Sequence, residues 1–368
     1  MKNQTSSEFV YSFPAIRGIQ AGREYYVTMC PLKVVPRLFK LIEDDLPPEM
    51  RAQRSINKQR IPSLVRYIAE NRDSYAFSSI TVSIDGEVFF APNGDDSLGR
   101  KLGILNIPME ARFLINDGQH RRAAIEEVIQ ECPDLGDETI SVVFFVDAGL
   151  ERSQQMFADL NRFAIRTTRS LGILYDHREP LSKLAKKLAD NVPVFVGMTE
   201  KEKTTISNRS RKLFTLSSIY QATKQLLQKG KNDKVLRKEE QLAHEFWREV
   251  SNNILDWQLC VQSKVAAYDL RAEFIHAHGI ALHAIAVAGS ALIARNPSSW
   301  QKELCKLKEI DWSRRNLSFW EGRALIGGRL SKSKNNLVLT ANAIKHRLNL
   351  PLDPKEKEIE DRYVAGKK

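Results

Sequence analysis

The chain has 368 residues, of which 56 are Lys or Arg and 45 are Asp or Glu, so its formal net charge is +11. At about 150 residues per domain this length predicts two domains, and a hydrophobic fraction of 42% excludes a chain that is disordered throughout. The four cysteines, Cys30, Cys132, Cys260 and Cys305, lie far apart, and none has the spacing of a disulfide scaffold or a zinc site. We therefore expect reduced thiols and no metal site.

Strand and helix patterns alternate along the first half of the chain. A turn at Asp85-Gly86 predicts a hairpin between the second and third strands. Strands are predicted at 24–29, 79–84, 87–90, 112–115 and 139–146, the last buried on both faces because it is almost wholly apolar. Helices are predicted from Pro62, around 119–129 and over 151–163, the last with Met156, Phe157 and Leu160 facing inward.

Strand patterns nearly vanish in the second half, where helical patterns dominate. Helices are predicted at 213–229, 239–259, 269–294, 299–308 and 340–349. The charged residues 353–368 are expected to fray. The predicted fold class is therefore α+β, with a mixed-sheet α/β domain over residues 1–195 and a mainly helical domain over 196–368.

Nothing in the sequence predicts insertion in a membrane. Residues 1–14 are polar and lack the apolar core of a signal peptide. The most apolar stretch, 279–294, contains His283 and Ser290 and is shorter than the roughly 20 residues of a membrane span. We expect a cytoplasmic, nucleoid-associated protein, since a net positive charge favours nucleic acid over membrane as the polyanionic partner.

Most of the net charge lies between Lys201 and Lys238, the basic segment, which holds eleven basic residues against two acidic ones. Apolar residues recur within it at helical spacing, which favours a folded surface over a mobile tail. One interpretation is a solvated helix pair in which lysines provide solubility. The other is a surface that contacts DNA phosphates. The second interpretation assigns DNA contacts to Lys201, Lys203, Arg209, Arg211, Lys212, Lys229 and Lys231.

The sharpest local pattern is Asp-Gly-Gln-His-Arg at residues 117–121, between a predicted apolar strand and a predicted helix. Backbone N–H groups at a helix N-terminus, together with guanidinium groups, form a site for an anion such as phosphate. Asp117 can cap the helix or hold a metal ion, and His120 can donate to a phosphate or act as an acid or base. The pattern also fits an ordinary Asp-Gly turn with a solvent-facing arginine pair.

This motif names the DGQHR-domain family, and the chain resembles the DndB group of that family, regulators associated with bacterial DNA phosphorothioation. Matching blocks run from about Gln53 to Ala343, most of the chain. The blocks that resemble the family lie at residues 53–61, 67–68, 117–121, 157–162, 311–314 and 320–322.

The resemblance implies a fold and a phosphate site. DGQHR domains are similar to the ParB/sulfiredoxin superfamily, in which a G-x-x-R segment between strand and helix holds nucleotide phosphates. Carried over by position, Gly118 and Arg121 would hold phosphate, and Arg54 and Asn161 would flank the pocket. The residues so implied in nucleotide or phosphate binding are Gly118, Gln119, His120, Arg121, Arg122, Arg54 and Asn161.

The resemblance also implies a function, a transcriptional repressor of a phosphorothioate-modification gene cluster. It would bind double-stranded promoter DNA as a homo-oligomer, because symmetric operators are read by symmetric proteins. It would also contact other DNA sulfur-modification proteins. The alternative is an ATPase or a ParB-like DNA-nicking nuclease in which Asp117, His120 and Arg121 are catalytic and ATP with Mg²⁺ is the cofactor. A scaffold without DNA contact would leave the charge of the basic segment unexplained.

Overall fold

A computed structural model describes residues 9–40, 56–146, 150–162, 167–230 and 233–366. The strands are β1 (Val10–Gln20), β2 (Arg23–Pro31), β3 (Ile80–Asp85), β4 (Phe89–Pro92), β5 (Leu102–Pro108), β6 (Arg112–Asp117), β7 (Thr139–Val146), β8 (Thr199–Glu200), β9 (Phe214–Thr215), β10 (Leu325–Ile326) and β11 (Arg329–Leu330). The helices are α1 (Val35–Leu38), α2 (Ile61–Glu70), α3 (Gln119–Glu131), α4 (Leu150–Arg162), α5 (Arg169–Tyr175), α6 (Pro180–Asn191), α7 (Leu216–Leu226), α8 (Arg237–Asn252), α9 (Leu255–Val261), α10 (Ala267–Glu273), α11 (Gly279–Arg295), α12 (Trp300–Glu303), α13 (Leu317–Trp320), α14 (Lys334–Arg347) and α15 (Pro354–Ala365). The fold class is α+β, as predicted.

The chain forms two compact units, Met1–Ile165 and Arg166–Lys368. The sequence places the boundary later, at residue 195. Helices α5 and α6 lie between these two positions, and their buried residues, among them Ile173 and Leu188, belong to the hydrophobic core of the second unit.

The first unit is built on a seven-stranded mixed sheet with the order β4-β5-β1-β2-β7-β3-β6. Strands β3 and β7 are parallel, and the other neighbouring pairs are antiparallel. Alternate residues of β3 (Ile80, Val82 and Ile84) are fully buried and form a core with residues of β7 and β6. A smaller core joins α2 to α3. The site described below lies where β6 ends and α3 begins.

The hairpin predicted at Asp85-Gly86 is wrong. Strand β3 has β7 on one side and β6 on the other, so neither of its edges is free for β4, which pairs with β5 instead. Strands β1 and β5 have no counterpart among the predicted strands. Pro14 and Gly18 interrupt the strand pattern of β1, and both residue types are unfavourable inside a sheet.

Two predictions of burial in the first unit are also wrong in part. In β7, Ile140, Val142 and Phe144 are buried, whereas the alternate residues are only partly covered, so one face of the strand is fully buried and not both. In α4, Leu160 does not face inward, because 42% of its surface is exposed.

The second unit has one large core centred on α11, which packs against α7 and α14. Two predicted helices are split. A hydrogen bond of 2.9 Å from the Asn253 side chain to the Glu249 carbonyl ends α8 before α9 begins. Phe274 is extended and bridges to Ser313, which separates α10 from α11. Among the described residues, none of the helices combines the length and apolarity that crossing a membrane requires.

The prediction of a frayed C-terminus is wrong for the residues of α15. Asp353 caps this helix, accepting hydrogen bonds from the N–H groups of Lys355 and Glu356. Glu360 is only 7% exposed and forms a bidentate ion pair with Arg323, with an Nη2–Oε1 distance of 2.5 Å. A charged helix can dock stably when its buried carboxylate has a buried cationic partner.

Candidate functional site

The motif of residues 117–121 forms an abrupt turn from strand β6 into helix α3. Gly118 lies in the left-handed region with φ +107°. A Cβ atom at this position would lie 3.1 Å from Cγ1 of Ile80 and 3.1 Å from Nη2 of Arg121. Both the backbone conformation and the close neighbours therefore require glycine at this turn.

Arg121 ties the turn to the beginning of β3. Its Nη2 lies 2.7 Å from Oδ2 of Asp117 and donates to the carbonyl of Ser79 at 3.0 Å, and its Nη1 donates to Oγ of Ser78 at 2.7 Å. The Arg121 side chain is 18% exposed and that of Asp117 51%. The Arg121 Nε is buried and has no hydrogen-bond partner in the described part of the chain. The guanidinium is therefore held in place, and Asp117 offsets part of its charge.

His120 contacts the block that resembles the upstream part of the DGQHR family. Its Nε2 accepts a hydrogen bond of 3.2 Å from the backbone N–H of Asn57. The side chain of Asn57 caps the short 3₁₀ helix Lys58–Arg60 by accepting from the N–H of Gln59. This hydrogen bond links the helical end of the motif to the segment that precedes α2.

Two of the residues expected to bind phosphate are buried inside the first unit. Gln119 donates to the carbonyl of Ile115, at the end of β6. Arg122 is 5% exposed and donates to the carbonyls of Phe39 at 2.7 Å and Pro36 at 2.8 Å, which holds the α1 segment against α3. Arg122 also pairs with Glu126. The structure thus places these two side chains in contacts that stabilise the motif, whereas Asp117, its one carboxylate, is half exposed.

The structure describes no side chain for either of the two flanking residues implied by the resemblance. Arg54 lies outside the described residues. Asn161 belongs to α4, and its side chain is not among those that the structure describes. A residue that sequence reasoning missed joins this helix to the motif: buried Asn116 donates to Oγ of Ser83 at 2.6 Å and to Sδ of Met156, on α4, at 3.0 Å.

The basic segment lies in the second unit, where it begins with the loop after β8 and includes β9, α7 and the first two residues of α8. Three of its predicted DNA contacts have partners within the unit. Lys201 pairs with Asp190 at 2.6 Å, Lys229 pairs with Glu239 at 2.8 Å, and Lys212 donates to the carbonyl of Gly197 at 2.8 Å. Lys231 lies outside the described residues.

The other cations of the basic segment face solvent. Six of them are exposed and form no ion pair within the part of the chain that the structure describes: Lys203, Arg209, Arg211, Lys234, Arg237 and Lys238. Within the described residues, Lys201 and Lys229 therefore have carboxylate partners, whereas these six exposed cations have none.

A buried arginine outside the segment holds its first loop. Arg271, 8% exposed, donates from Nη2 to the carbonyls of Ser207, Asn208 and Ser210 at 2.9–3.0 Å and from Nη1 to that of Lys212. Burial lowers the pKa of its guanidinium. This residue fixes the loop that carries Arg209 and Arg211, and no pattern in the sequence identifies it, because its partners lie about sixty positions upstream.

The comparison with protein families decides the assignment. Residues 13–351 match the family model of DndB, described as DNA-sulfur modification-associated. The chain belongs to the DndB family. No curated protein and no solved structure matches it. The match confirms the DndB resemblance drawn from the motif blocks.

Membership of the DndB family associates the chain with DNA sulfur modification. Both candidate regions, the turn at Gly118 and the basic segment, lie within the matched residues. The turn has the geometry of an anion site, but its Arg121 already pairs with Asp117. The basic segment presents exposed cations that have no carboxylate partner among the described residues.

Proposed function

We propose that the protein is a DNA-binding repressor of a gene cluster for DNA phosphorothioate modification, and that the basic segment contacts the phosphates of promoter DNA. The observation that supports this proposal is the group of six exposed cations without ion pairs in the described chain. Family membership supports the pathway, because the family is associated with DNA sulfur modification.

The arrangement of these charges favours phosphate contact over solubility. Surfaces that serve solubility mix charges of both signs, whereas the basic segment has only two acidic residues against eleven basic ones. Cations that have no carboxylate partner neutralise DNA phosphates and release counterions, which drives binding. Arg209 and Arg211 stand on the loop that Arg271 holds, so less entropy is lost when they bind.

The test is binding of a labelled promoter fragment across a salt series from about 50 to about 200 mM. The variant is the double substitution Arg209→Gln/Arg211→Gln. Each lost phosphate contact reduces the slope of log K against log salt by about 0.9, so we expect a reduction of about 1.8. The matched control is Lys302→Gln/Lys308→Gln, which removes the same charge from exposed side chains outside the segment and should leave the slope near that of the wild type.

Specificity is tested with a random duplex of the same length. Tighter binding to the promoter at each salt concentration supports a repressor, whereas equal affinity for both duplexes would refute it. A homodimer belongs to this proposal, because paired half-sites are read by paired subunits. Light scattering of the free protein and of the complex measures the number of subunits.

The same preparations test the enzymatic alternative at the DGQHR turn. Phosphate release from ATP with Mg²⁺, and nicking of supercoiled DNA, are compared between the wild type and Arg121→Ala. A turnover that disappears in the variant would assign catalysis to this motif. Rates at background in both proteins would remove the alternative.

A further inference from the structure

A cleft of about 620 Å³ opens in the second unit next to the first loop of the basic segment. One wall is formed by residues 204–208 of that loop, and the others by α10, by the beginning of α11 and by the chain around β11. This volume lies within the range of sites that bind small molecules, about 300–1,000 Å³.

Three cationic side chains converge on the cleft, Arg271, Arg314 and Lys332. Hydrogen bonds to the carbonyls of Ala272 at 3.2 Å and Gly328 at 3.3 Å position the guanidinium of Arg314. Lys332 has no ion pair within the described residues. The residues that line the cleft include no Asp or Glu, so none of its own side chains supplies a negative charge to these cations.

The positive charge of the cleft contributes to the lowered pKa values of two neighbouring histidines, His278 and His283. Burial and the charges of Arg314, Lys332 and Arg271 together lower the pKa of His278 to about 4, against a hydrogen bond to the Arg271 carbonyl that raises it. Burial also lowers the pKa of His283 to about 4, with contributions from Lys332 and Arg169. Burial disfavours a charge of either sign, so only the contribution of the neighbouring cations to these shifts favours an anion in the cleft.

The rest of the lining supplies neutral donors and an apolar wall. Thr215 and Ser218 face the cleft with their hydroxyls 2.7 Å apart. At Gly279, the first residue of α11, a Cβ atom would lie 2.6 Å from the Ser218 Oγ, so glycine allows the helix to begin at this wall. Apolar contact is available from the partly exposed Leu330 and from the half-exposed Tyr268, whereas Leu213 and Phe214, which also line the cleft, are each only 1% exposed.

We propose that this cleft binds a phosphate-bearing small molecule with a flat, largely apolar body, the chemistry of a nucleoside phosphate. The converging cations and hydroxyls suit a phosphate group, and the aromatic and aliphatic wall suits a base. DNA phosphates are the other source of such an anion, but a concave site of this volume fits a free ligand better than a duplex. The inference goes beyond the proposed function and does not depend on it.

The cleft shares residues with the loop that we propose to contact DNA. Asn208 and Arg271 both line the cleft. Arg271 also donates to carbonyls of the loop that carries Arg209 and Arg211. A ligand that contacts Arg271 therefore acts on the same loop that we propose for phosphate contact.

The experiment is calorimetric titration of the full chain with inorganic phosphate, AMP, ATP and adenosine. We expect AMP or ATP to bind and adenosine to fail, because adenosine lacks the phosphate. Lys332→Gln and Arg314→Gln should each weaken nucleotide binding about tenfold or more, the effect of losing one charge-assisted hydrogen bond. The matched control is Lys308→Gln, which removes an exposed lysine that does not line the cleft and should bind as the wild type does.

Three results would overturn the proposal. They are the absence of binding by both nucleotides, binding that neither Lys332→Gln nor Arg314→Gln weakens, and binding that only Arg121→Ala abolishes, which would assign the nucleotide to the DGQHR turn. Circular dichroism and thermal melts of each variant establish that it is folded. Promoter binding measured without nucleotide is scored separately, so failure of this site and failure of the DNA-binding proposal are distinguishable.

Discussion

Replacing Arg271 with lysine tests whether one buried guanidinium holds the first loop of the basic segment. Arg271 reaches four carbonyl oxygens, three from Nη2 and one from Nη1. A lysine at this position keeps the positive charge but has a single ammonium group, which cannot span the fork of acceptors. The substitution therefore separates the effect of hydrogen-bond geometry from the effect of charge.

The magnitude follows from the number of hydrogen bonds lost. Nη2 has two hydrogens for three acceptors, so the guanidinium makes about three full hydrogen bonds, of which lysine retains one. Hydrogen bonds to charged groups contribute about 1.5–3 kcal/mol each. The loop carbonyls regain water in the variant, so the lower value applies to the two lost bonds, and Arg271→Lys should reduce the free energy of unfolding by about 3 kcal/mol. For a unit of this size that corresponds to a fall in Tm of about 6–12 °C.

Tryptophan fluorescence is the assay, because all five tryptophans lie in the second unit and report its unfolding alone. Urea and thermal transitions are compared for the wild type, Arg271→Lys and the control Arg209→Lys, an exposed arginine without an ion pair in the described chain. The control should stay within about 0.5 kcal/mol of the wild type. If Arg271→Lys unfolds at the same midpoint as the control, the hydrogen bonds to the loop contribute nothing and the reasoning is refuted.

Three further predictions follow from particular residues. Gly118→Ala should destabilise the first unit by about 1–3 kcal/mol because of its positive φ; this unit has no tryptophan, so far-UV circular dichroism in urea measures the change, and an unchanged midpoint would contradict the turn geometry. Stability should fall as pH drops from about 6.5 towards 4, because the pKa values of His278 and His283 are lowered to about 4 in the folded state and the unfolded chain binds more protons over that range; urea midpoints measured against pH should show a smaller slope in His278→Gln/His283→Gln, with a remainder from His276 and His244, whose pKa values burial also lowers. Cys305 is exposed, whereas burial raises the pKa of the Cys30 thiol to about 12; a thiol reagent should therefore modify Cys305 in the native protein and Cys30 only after unfolding, and equal rates would show that Cys30 is accessible.

Local patterns predicted those parts of the fold whose stability depends on neighbours in sequence. The apolar run of β7 was predicted with the observed bounds, and α3 and β6 lie close to their predicted positions. Strands β1 and β5 were not predicted, because they are stabilised by each other and β1 contains a proline. The residues Asp85-Gly86 form a strong local turn signal, yet the predicted hairpin does not form. Strand β3 pairs instead with β6 and β7, which are distant in sequence.

The sequence predicted the turn from strand to helix at Gly118, but not the side-chain contacts that surround it. A glycine between an apolar strand and a helix indicates the turn, and the structure has it. Arg121 donates to Ser78, and His120 accepts from Asn57. Both partners lie more than forty positions upstream, and no local sequence pattern connects them to the motif. Arg122 was expected to bind phosphate, because a guanidinium at a helix N-terminus favours an anion, but its donors are used by carbonyls of a distant segment.

Charge counted along the sequence is not the same as charge available at a surface. Lys201 and Lys229 contribute to the net charge of the basic segment, yet each already has a carboxylate partner. Neutralising Lys201 would therefore expose the charge of Asp190 and weaken DNA binding through repulsion, without removing a phosphate contact. Variants chosen by sequence range alone would confuse these two effects, so a test of DNA contact must begin with the exposed cations that have no carboxylate partner in the described chain.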